Sequence, residues 1–401
     1  MPLLEFVKSN QNNVQELGIQ QIVAIAGTGE LKDNSECSRE LREYLSITPT
    51  SRLQNYIEEC LGSSFTNSGL VLQEIVNELG KRLEYNVENG LFSGRRNQIG
   101  YDGIWKEKSG TSIIVEVKTT DAYRISLDRI AQYRNSLIQN GQIESDSSSL
   151  IVVGRQDTGD LESQIRGSRH AWSMRVISAE ALMKLVLLKE DTEEEETLNK
   201  IRSILTPFEY TRLDNLIDVL FTATQDVESS AKNEIESPES SNEVNENSGN
   251  RWDFTPQEII QSKRLSIISS FEQQFGTPLL KKSKALYWNK DKNYRVACTI
   301  SKRYERGGQK YWYAFHPRWN DFLLEAEFSY FILGCVDLDQ GFAIPIEVVR
   351  EQLDYLNITK KDEKNYYWHI QLEEKSEEMF WLIPKKSTNI SISKYAIDLP
   401  K

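Results

Sequence analysis

Residues 100–118 read GYDGIWKEKSGTSIIVEVK and contain two apolar runs separated by a polar turn that ends in glycine. The first run follows Asp102, and the second carries Glu116 and Lys118 at its end. Short runs rich in isoleucine and valine on either side of such a turn are typical of a β-hairpin. The stretch therefore predicts two adjacent strands, with an acid on the first and an acid and a lysine on the second.

Alternation along these strands predicts where the polar side chains point. Successive side chains of a strand lie on opposite faces, so Glu116 and Lys118 share the face opposite Val115 and Val117. Hairpin pairing can bring Asp102 next to Glu116. Burying an acid and an amine in a strand of isoleucine and valine costs free energy unless the two charges are paired. We therefore expect the three polar groups to converge at one edge of a sheet.

This combination of groups suits metal-assisted phosphodiester hydrolysis. Carboxylates can hold Mg²⁺, a hard ion that takes oxygen ligands and keeps several of its waters. The bound ion polarises a phosphate and lowers the pKa of a bound water. A lysine can orient that water or neutralise charge that develops in the transition state.

The pattern Asp102…Glu116-Val117-Lys118 resembles the signature of the restriction-endonuclease-like, or PD-(D/E)XK, nuclease superfamily. The flanking sequence agrees with that family's order of helix, strands, helix, strand, since it predicts helices over 70–83 and 126–138 and a buried strand over 150–154. Two features depart from the family pattern. Gly100 and Tyr101 precede Asp102, so the proline of the motif is missing, and the Gln-x-x-x-Tyr motif of one branch is absent after Gln132.

The resemblance implies roles for four residues. Asp102 and Glu116 would bind Mg²⁺, with Mn²⁺ as a substitute, and Lys118 would activate or orient the water. In many members the first helix adds a carboxylate to the metal site, and Glu74 is the candidate by position.

Length and composition indicate a chain of several domains. Its 401 residues are enough for two or three domains. No apolar run of about 18 residues occurs, which excludes a membrane span. The four cysteines are widely spaced, which argues against a disulfide framework and a zinc site and favours a reducing cytoplasm.

The net charge of −12 is unevenly distributed. Segment 225–250 has seven acids against one lysine, is rich in serine and asparagine, and is expected to be a disordered linker. Segment 281–318 instead has eleven Lys or Arg residues and two acids, interleaved with aromatic residues. In such a segment the lysines and arginines can bind successive phosphates of a nucleic acid while exposed aromatic rings stack on its bases. The alternative is that alternate aromatic residues build the core of a sheet and the lysines are its solvated face.

These features predict four regions. We expect a helical N-terminal extension over 1–65, an α/β restriction-endonuclease-like nuclease core over 66–224, the linker over 225–250, and a separate α+β domain with a curved antiparallel sheet over 251–401. The last domain is the candidate for nucleic-acid recognition. Seven residues are candidates for contacting nucleic acid: Arg95, Arg96, Arg124, Gln132, Lys302, Arg303 and Arg306.

The sequence leads to one main hypothesis and two alternatives. The main one is a cytoplasmic Mg²⁺-dependent endonuclease acting on double-stranded DNA, similar to bacterial restriction or anti-phage effectors. Cutting both strands needs two such sites, so a homodimer or larger assembly is expected, with an activating protein as a further partner and no membrane contact. The alternatives are a nuclease of the same fold acting on RNA or on a DNA-repair intermediate, and a non-catalytic protein that binds nucleic acid or a protein partner.

Overall fold

The computed structural model describes residues 3–9, 14, 17–62, 65–92, 99–108, 110–119, 125–154, 159–192, 195–206, 257–304, 310–360, 366–376 and 378–399. It shows a mixed α/β protein whose chain divides into two compact units, Met1–Ala223 and Thr224–Lys401. None of the helices in these ranges is long and apolar enough to cross a membrane. The acidic segment 225–250 lies outside the described residues.

The first unit begins with helices and continues as alternating strands and helices. Its helices are α1 (Leu3–Ser9), α2 (Ile19–Ile25), α3 (Glu36–Ile47), α4 (Thr50–Gly62), α5 (Ser68–Arg82), α6 (Leu127–Gln139), α7 (Gly159–Arg166), α8 (Ala179–Asp191) and α9 (Glu195–Ser203). Its strands are β1 (Asn86–Asn89), β2 (Gly103–Lys106), β3 (Ser112–Lys118), β4 (Ser148–Val153) and β5 (Met174–Ser178).

The five strands form one mixed sheet in the order β1-β2-β3-β4-β5. The first three strands are antiparallel, with Gly103 opposite Val115 and Ile104 opposite Ile114. Strands β4 and β5 are added parallel to β3, with Val153 opposite Lys118. A parallel neighbour requires a crossover connection, and α6 lies in the connection between β3 and β4.

The alternation predicted for β3 is confirmed. Ile113, Val115 and Val117 lie in the main core of the unit. On the opposite face, Ile114 lies in a smaller cluster with Ile104. The main core also contains apolar residues of α2, α3 and α4, so the N-terminal helices pack around the same core as α5 and the sheet.

The second unit begins with α10 (Gln257–Phe275) and is then rich in strands. These are β6 (Leu280–Lys281), β7 (Leu286–Trp288), β8 (Tyr294–Ser301), β9 (Arg303–Tyr304), β10 (Lys310–Phe315), β11 (Phe328–Cys335), β12 (Gln340–Pro345), β13 (Ile358–Lys360), β14 (Tyr366–Lys375), β15 (Glu378–Leu382), β16 (Ile390–Ser391) and β17 (Ala396–Asp398). Two short helices, α11 (Pro317–Leu324) and α12 (Ile346–Arg350), interrupt them.

The prediction of one curved antiparallel sheet is wrong for this unit. The strands form two six-stranded sheets, one in the order β17-β12-β11-β8-β7-β6 and the other in the order β16-β15-β14-β10-β9 with β13 paired to β14. Strand β11 pairs parallel to β8. The chain leaves the first sheet after β8, builds β9 and β10 in the second, and returns through α11. Residue alternation predicts the faces of a strand but not its partner, so this pairing was not accessible from local pattern.

Candidate active site

Asp102 immediately precedes β2 and is hydrogen-bonded directly to β3. Its backbone N–H donates to the carbonyl of Val115 over 3.0 Å, which continues the β2–β3 ladder by one step. Its carboxylate Oδ2 accepts a hydrogen bond of 2.6 Å from the backbone N–H of Val117. The carboxylate is therefore held against the backbone that links Glu116 to Lys118.

Glu116 and Lys118 form an ion pair at the end of β3. Lys118 Nζ lies 2.5 Å from Glu116 Oε1. The glutamate side chain is 16% exposed and the lysine side chain 38%, so the carboxylate is mainly enclosed while the ammonium reaches solvent. Both side chains are on the strand face opposite the main core, as alternation requires.

The two carboxylates interact unfavourably with each other. Burial raises the pKa of the Asp102 carboxyl from its ordinary value to about 7, and the nearby Glu116 carboxylate adds to the rise. The Val117 N–H and the Lys118 ammonium lower the pKa, but they do not outweigh burial and like-charge repulsion. A cation near both carboxylates would stabilise their charged forms.

Helix α5 positions Asp102 through its backbone carbonyl. That carbonyl accepts hydrogen bonds from Asn77 Nδ2 at 2.8 Å and Gln73 Nε2 at 3.2 Å. The Oδ1 atom of Asn77 accepts from Trp105 Nε1 at 3.0 Å. The approach requires glycine at position 103, since a Cβ there would lie 2.1 Å from Asn77 Oδ1. The site is thus anchored to a buried helix.

Sequence reasoning missed Gln73 and Asn77, although a signal was present. Both residues are buried, and they lie four positions apart on a helix whose neighbouring positions are Val71, Leu72 and Ile75. Polar side chains at i and i+4 lie on one face of a helix. Buried polar groups need hydrogen-bond partners, so this pair indicated a polar element packed against the helix.

Glu74 is engaged elsewhere. Its carboxylate accepts two hydrogen bonds from the guanidinium of Arg42 on α3, from Nε to Oε2 and from Nη2 to Oε1, the second at 2.8 Å. Arg42 also lies over the ring of Phe92, with Cζ 5.7 Å from the centroid. Since both oxygens of Glu74 are bound to Arg42, the metal-ligand role that the resemblance implies for Glu74 has no support in this geometry. The contribution of Arg42 was missed because nothing in local sequence links α3 to α5.

The donor set suits a hard divalent ion with few protein ligands. In the described ranges, Asp102 Oδ1 and Glu116 Oε2 accept no hydrogen bond, so each carboxylate retains an oxygen for a metal ion. No group of three or more His, Cys, Asp or Glu residues capable of holding a metal occurs among the residues described. Mg²⁺ is commonly held by one or two carboxylates with several waters retained, and two carboxylates fit that requirement.

The residues expected to contact nucleic acid are only partly described. Gln132 is exposed on α6. Arg95, Arg96, Arg124 and Arg306 lie outside the described residues. Lys302 and Arg303 are half-buried, and Lys302 Nζ lies 5.6 Å from the ring centroid of Tyr304.

Arg303 is held by acids rather than presented outward. Its Nε donates to Asp337 Oδ2 at 2.7 Å and its Nη2 to Glu374 Oε2 at 2.9 Å. The hydroxyl of Tyr311 donates to the other oxygen of Asp337 at 2.8 Å. Arg303 is therefore part of a closed polar network that joins β9 to the turn between β11 and β12 and to β14.

Most aromatic residues of the basic segment build the core. Five of its eight aromatic residues are at most 6% exposed, which leaves their rings little area for stacking on bases: Tyr287, Tyr311, Trp312, Tyr313 and Phe315. The interpretation that aromatic residues build the core of the sheets is confirmed for these five. Their burial is not restricted to alternate positions, because Tyr311, Trp312 and Tyr313 are consecutive and both faces of β10 are covered. Trp288, Tyr294 and Tyr304 are half-buried.

Neither models of known protein families nor curated proteins match this chain.

Proposed function

We propose that this protein is a Mg²⁺-dependent endonuclease that hydrolyses DNA phosphodiester bonds. The observation that carries the proposal is the placement of Asp102 against the Glu116–Lys118 segment, with one oxygen of each carboxylate available and an ammonium alongside. The rise in the pKa of Asp102, caused by burial and then by Glu116, is an unfavourable interaction that a bound divalent cation would offset. Such strain is common where charged groups are kept close for function.

Each side chain has a distinct role in this proposal. Asp102 and Glu116 hold the metal ion, and Mn²⁺ can take its place. A bound ion supplies Lewis-acid chemistry at the scissile phosphate and lowers the pKa of a bound water. Lys118, held by Glu116 and open to solvent, orients the attacking water and stabilises negative charge on the phosphate oxygens. The Val117 N–H, Asn77 and Gln73 keep Asp102 in place.

The topology of the first unit supports the restriction-endonuclease-like interpretation. From α5 to β4 the order of elements is helix, three strands, helix, strand, in agreement with the order that the resemblance implies. The acids and the lysine lie on the two central antiparallel strands, β2 with its preceding residue and β3. We propose that this unit is the nuclease core and that the second unit recognises the substrate.

The biological setting is proposed on the resemblance alone. In that setting the protein is a cytoplasmic restriction or anti-phage effector. It acts on duplex DNA as a homodimer or larger assembly, with or without an activating protein. Two other functions fit the same site, namely hydrolysis of RNA or of a DNA-repair intermediate and non-catalytic binding of nucleic acid. They are separated from the main proposal by the experiment below.

The test is cleavage of supercoiled plasmid by the purified full-length protein with Mg²⁺, with Mn²⁺ and with EDTA. We expect metal-dependent nicking or linearisation that falls by about 100-fold or more in Lys118→Ala, because an electrostatic stabiliser of the transition state is removed. Lys106→Ala is the matched control, since Lys106 lies on the same sheet and pairs with Glu88 at its surface. Cleavage that persists in EDTA or in Lys118→Ala would contradict the proposal. Cleavage of RNA alone would favour the second function, and binding without cleavage the third.

A further inference from the structure

Helix α6 covers the face of β3 that carries Glu116 and Lys118. Leu137 of the helix lies in one apolar cluster with Ile114, which is on that face two residues before Glu116. Four residues of a helix rise about 6 Å, and two residues of a strand rise about 6.6 Å. A step of four residues along α6 therefore covers nearly the same distance as a step of two residues along β3.

This relation places two further residues of α6 at the level of the candidate site. Because α6 connects two parallel strands, it runs in the direction opposite to β3. Tyr133, four residues before Leu137, is therefore level with Glu116. Arg129, four residues earlier again, is level with Lys118.

The apolar contacts of α6 support this placement. Ile130, the residue after Arg129, lies in one cluster with Val153 of β4. Val153 is opposite Lys118 in the ladder between β3 and β4. The first turn of α6 therefore lies at the end of β3 on which Lys118 is found.

Tyr133 also contacts the segment that leads into Asp102. A Cβ at Gly100, two residues before Asp102, would lie 3.1 Å from the hydroxyl oxygen of Tyr133. The tyrosine is half-buried. Its hydroxyl is thus directed toward the chain that carries the first carboxylate of the candidate site.

Arg129 is bound to this tyrosine. Its Nε donates a hydrogen bond to the Tyr133 hydroxyl, and its Cζ lies 5.5 Å from the ring centroid. Its backbone N–H donates to the Ser126 hydroxyl at 3.3 Å, which fixes its place in the first turn of α6. Arg129 is exposed, and within the residues that the structure describes its guanidinium pairs with no acid.

A second arginine–tyrosine pair shows what a structural use of this arrangement looks like. On α4, Arg52 Nε donates to the hydroxyl of Tyr56 at 2.6 Å, with Cζ 5.2 Å from the ring centroid. The Nη2 group of Arg52 also donates to the carbonyls of Val14 and Leu17, at 2.6 and 2.8 Å. The Nη groups of Arg129 make no such bond to any described residue, so a structural clamp of this kind does not explain Arg129.

The charge of Arg129 is what a phosphate at this site requires. A phosphate that approaches the two carboxylates is repelled unless cations offset the repulsion. Lys118 is already paired with Glu116. Arg129 is held by a neutral phenol, which positions the guanidinium without cancelling its charge. The planar fork of a guanidinium matches the oxygens of a phosphate and can bind two of them at once.

We propose that Arg129 binds the non-bridging oxygens of the scissile phosphate through its Nη groups. Tyr133 is a positioning residue that holds the guanidinium level with Lys118. The identification of the ligand as a nucleic-acid phosphodiester rests on the proposed function.

Single-turnover cleavage of supercoiled plasmid by the full-length protein in Mg²⁺ measures the contribution to the reaction. Arg129→Gln should lower the rate by about 10- to 100-fold, because charge-assisted hydrogen bonds to the phosphate are lost. Arg129→Lys should recover only part of the rate, since an ammonium keeps the charge but lacks the fork. Arg166→Gln is the matched control and should cleave at the wild-type rate. Arg166 belongs to the same unit, is 74% exposed, and pairs with Glu162 at 3.7 Å on the surface of α7.

Tyr133→Phe tests the positioning role, because it keeps the ring and removes the hydroxyl. It should lower the rate by about threefold to tenfold, the effect of losing one hydrogen bond. In the Arg129→Gln background it should have no further effect, because the hydroxyl acts through the guanidinium. An equal loss in both backgrounds would overturn the positioning role of Tyr133.

Binding to a labelled DNA duplex in EDTA, followed by fluorescence anisotropy over a range of salt concentrations, tests the phosphate contact without cleavage. Duplex RNA of the same length is the second probe. Arg129→Gln should reduce the slope of log K against log salt by about 0.9, the effect of one phosphate contact, and Arg166→Gln should keep the wild-type slope. Equal slopes for these two variants, or a wild-type protein that binds neither nucleic acid, would overturn the contact.

The two measurements separate the role of Arg129 from the proposed hydrolase. Cleavage that is lost in Lys118→Ala but unchanged in Arg129→Gln would overturn the role of Arg129 and leave the hydrolase standing. A protein that cuts nothing, but in which Arg129→Gln alone reduces the slope, would lose the hydrolase and keep the phosphate contact. Unchanged thermal unfolding of the variants shows that these losses are not losses of fold.

Discussion

Two clusters of this protein each contain one aspartate, one glutamate and one cation, but the cation stabilises the acids differently in each. Each joins two carboxylates and one cation from different segments of the chain: Asp102, Glu116 and Lys118 in the first unit, and Arg303, Asp337 and Glu374 in the second. We refer to them as the Asp102 cluster and the Arg303 cluster. In the Arg303 cluster the charges stabilise one another, whereas the Asp102 cluster keeps an unfavourable interaction, which the proposed function explains.

In the Arg303 cluster the cation lies between the acids. Burial would raise the pKa of Asp337, but hydrogen bonds from Arg303 and Tyr311 outweigh it and lower that pKa. The same hydrogen bond to Asp337 is the main cause that raises the pKa of Arg303. The charged forms of these partners therefore stabilise each other.

In the Asp102 cluster the cation pairs with one of the two acids in the part of the chain that the structure describes. Lys118 binds Glu116, and Asp102 receives a backbone N–H instead. The carboxylates remain close enough for Glu116 to raise the pKa of Asp102. Residue types alone do not distinguish the clusters; the position of the cation relative to the two acids does.

The largest expected difference between the clusters is their response to metal ions. Mg²⁺ or Mn²⁺ should raise the unfolding temperature of the wild-type protein. At a metal concentration 100 times the Kd, the free energy of unfolding should increase by about 2.7 kcal/mol. Asp102→Asn should abolish the shift, and Asp337→Asn should keep it. Thermal unfolding with and without metal measures this, and an equal shift in Asp102→Asn would exclude Asp102 as a ligand.

A second difference concerns stability without metal. The pKa of Asp102 is raised in the folded state, so the native protein binds more protons and its stability falls as pH rises from about 4 to about 7. Asparagine keeps an acceptor for the Val117 N–H without the charge. Asp102→Asn should therefore be more stable than wild type by about 1–3 kcal/mol at about pH 8, and the gain should vanish below about pH 4. Denaturant unfolding in EDTA at both pH values tests the sign, and a loss of stability at high pH would contradict it.

The smallest expected effect is at the Arg303 cluster and has the opposite sign. The pKa of Asp337 is lowered in the folded state, so its contribution to stability is present above the unfolded-state pKa and is lost as pH falls through the folded one. The Asp337 side chain is 41% exposed, so solvent screening limits the effect. Asp337→Asn should cost about 0.5–1 kcal/mol at neutral pH. The same unfolding series should show this cost disappearing in acid, and a cost that persists there would point to lost hydrogen bonds instead of lost charge.

The local elements of the first unit were predictable because their signals are local. Helix α5 was expected over 70–83 and spans Ser68–Arg82, and α6 was expected over 126–138 and spans Leu127–Gln139. Strand β4, expected over 150–154, spans Ser148–Val153. Strand β1 was not predicted, because Asn86–Asn89 contains two asparagines and a glutamate, which are uncommon in strands. It forms a strand because it pairs with β2.

The part of the candidate site that lies within one hairpin was also predictable from local signals. Alternation placed Glu116 and Lys118 on one face, and the hairpin turn placed Asp102 beside them, because both relationships span fewer than about 20 residues of one β-hairpin. The engagement of Glu74 by Arg42, from a helix 32 residues away in sequence, was not predictable. Nor was the closed network around Arg303, whose partner Glu374 is 71 residues away.

The sequence by itself determined helices α5 and α6, strand β4, the faces of β3, and the presence of two acids and a lysine at one hairpin. Tertiary structure alone decided which acids a cation neutralises, which aromatic rings are buried, and that β11 returns parallel to β8. The physical reason is that side-chain alternation and turn chemistry act over a few residues. Ion pairing, burial and strand partnership instead depend on which distant surfaces the packed core brings into contact.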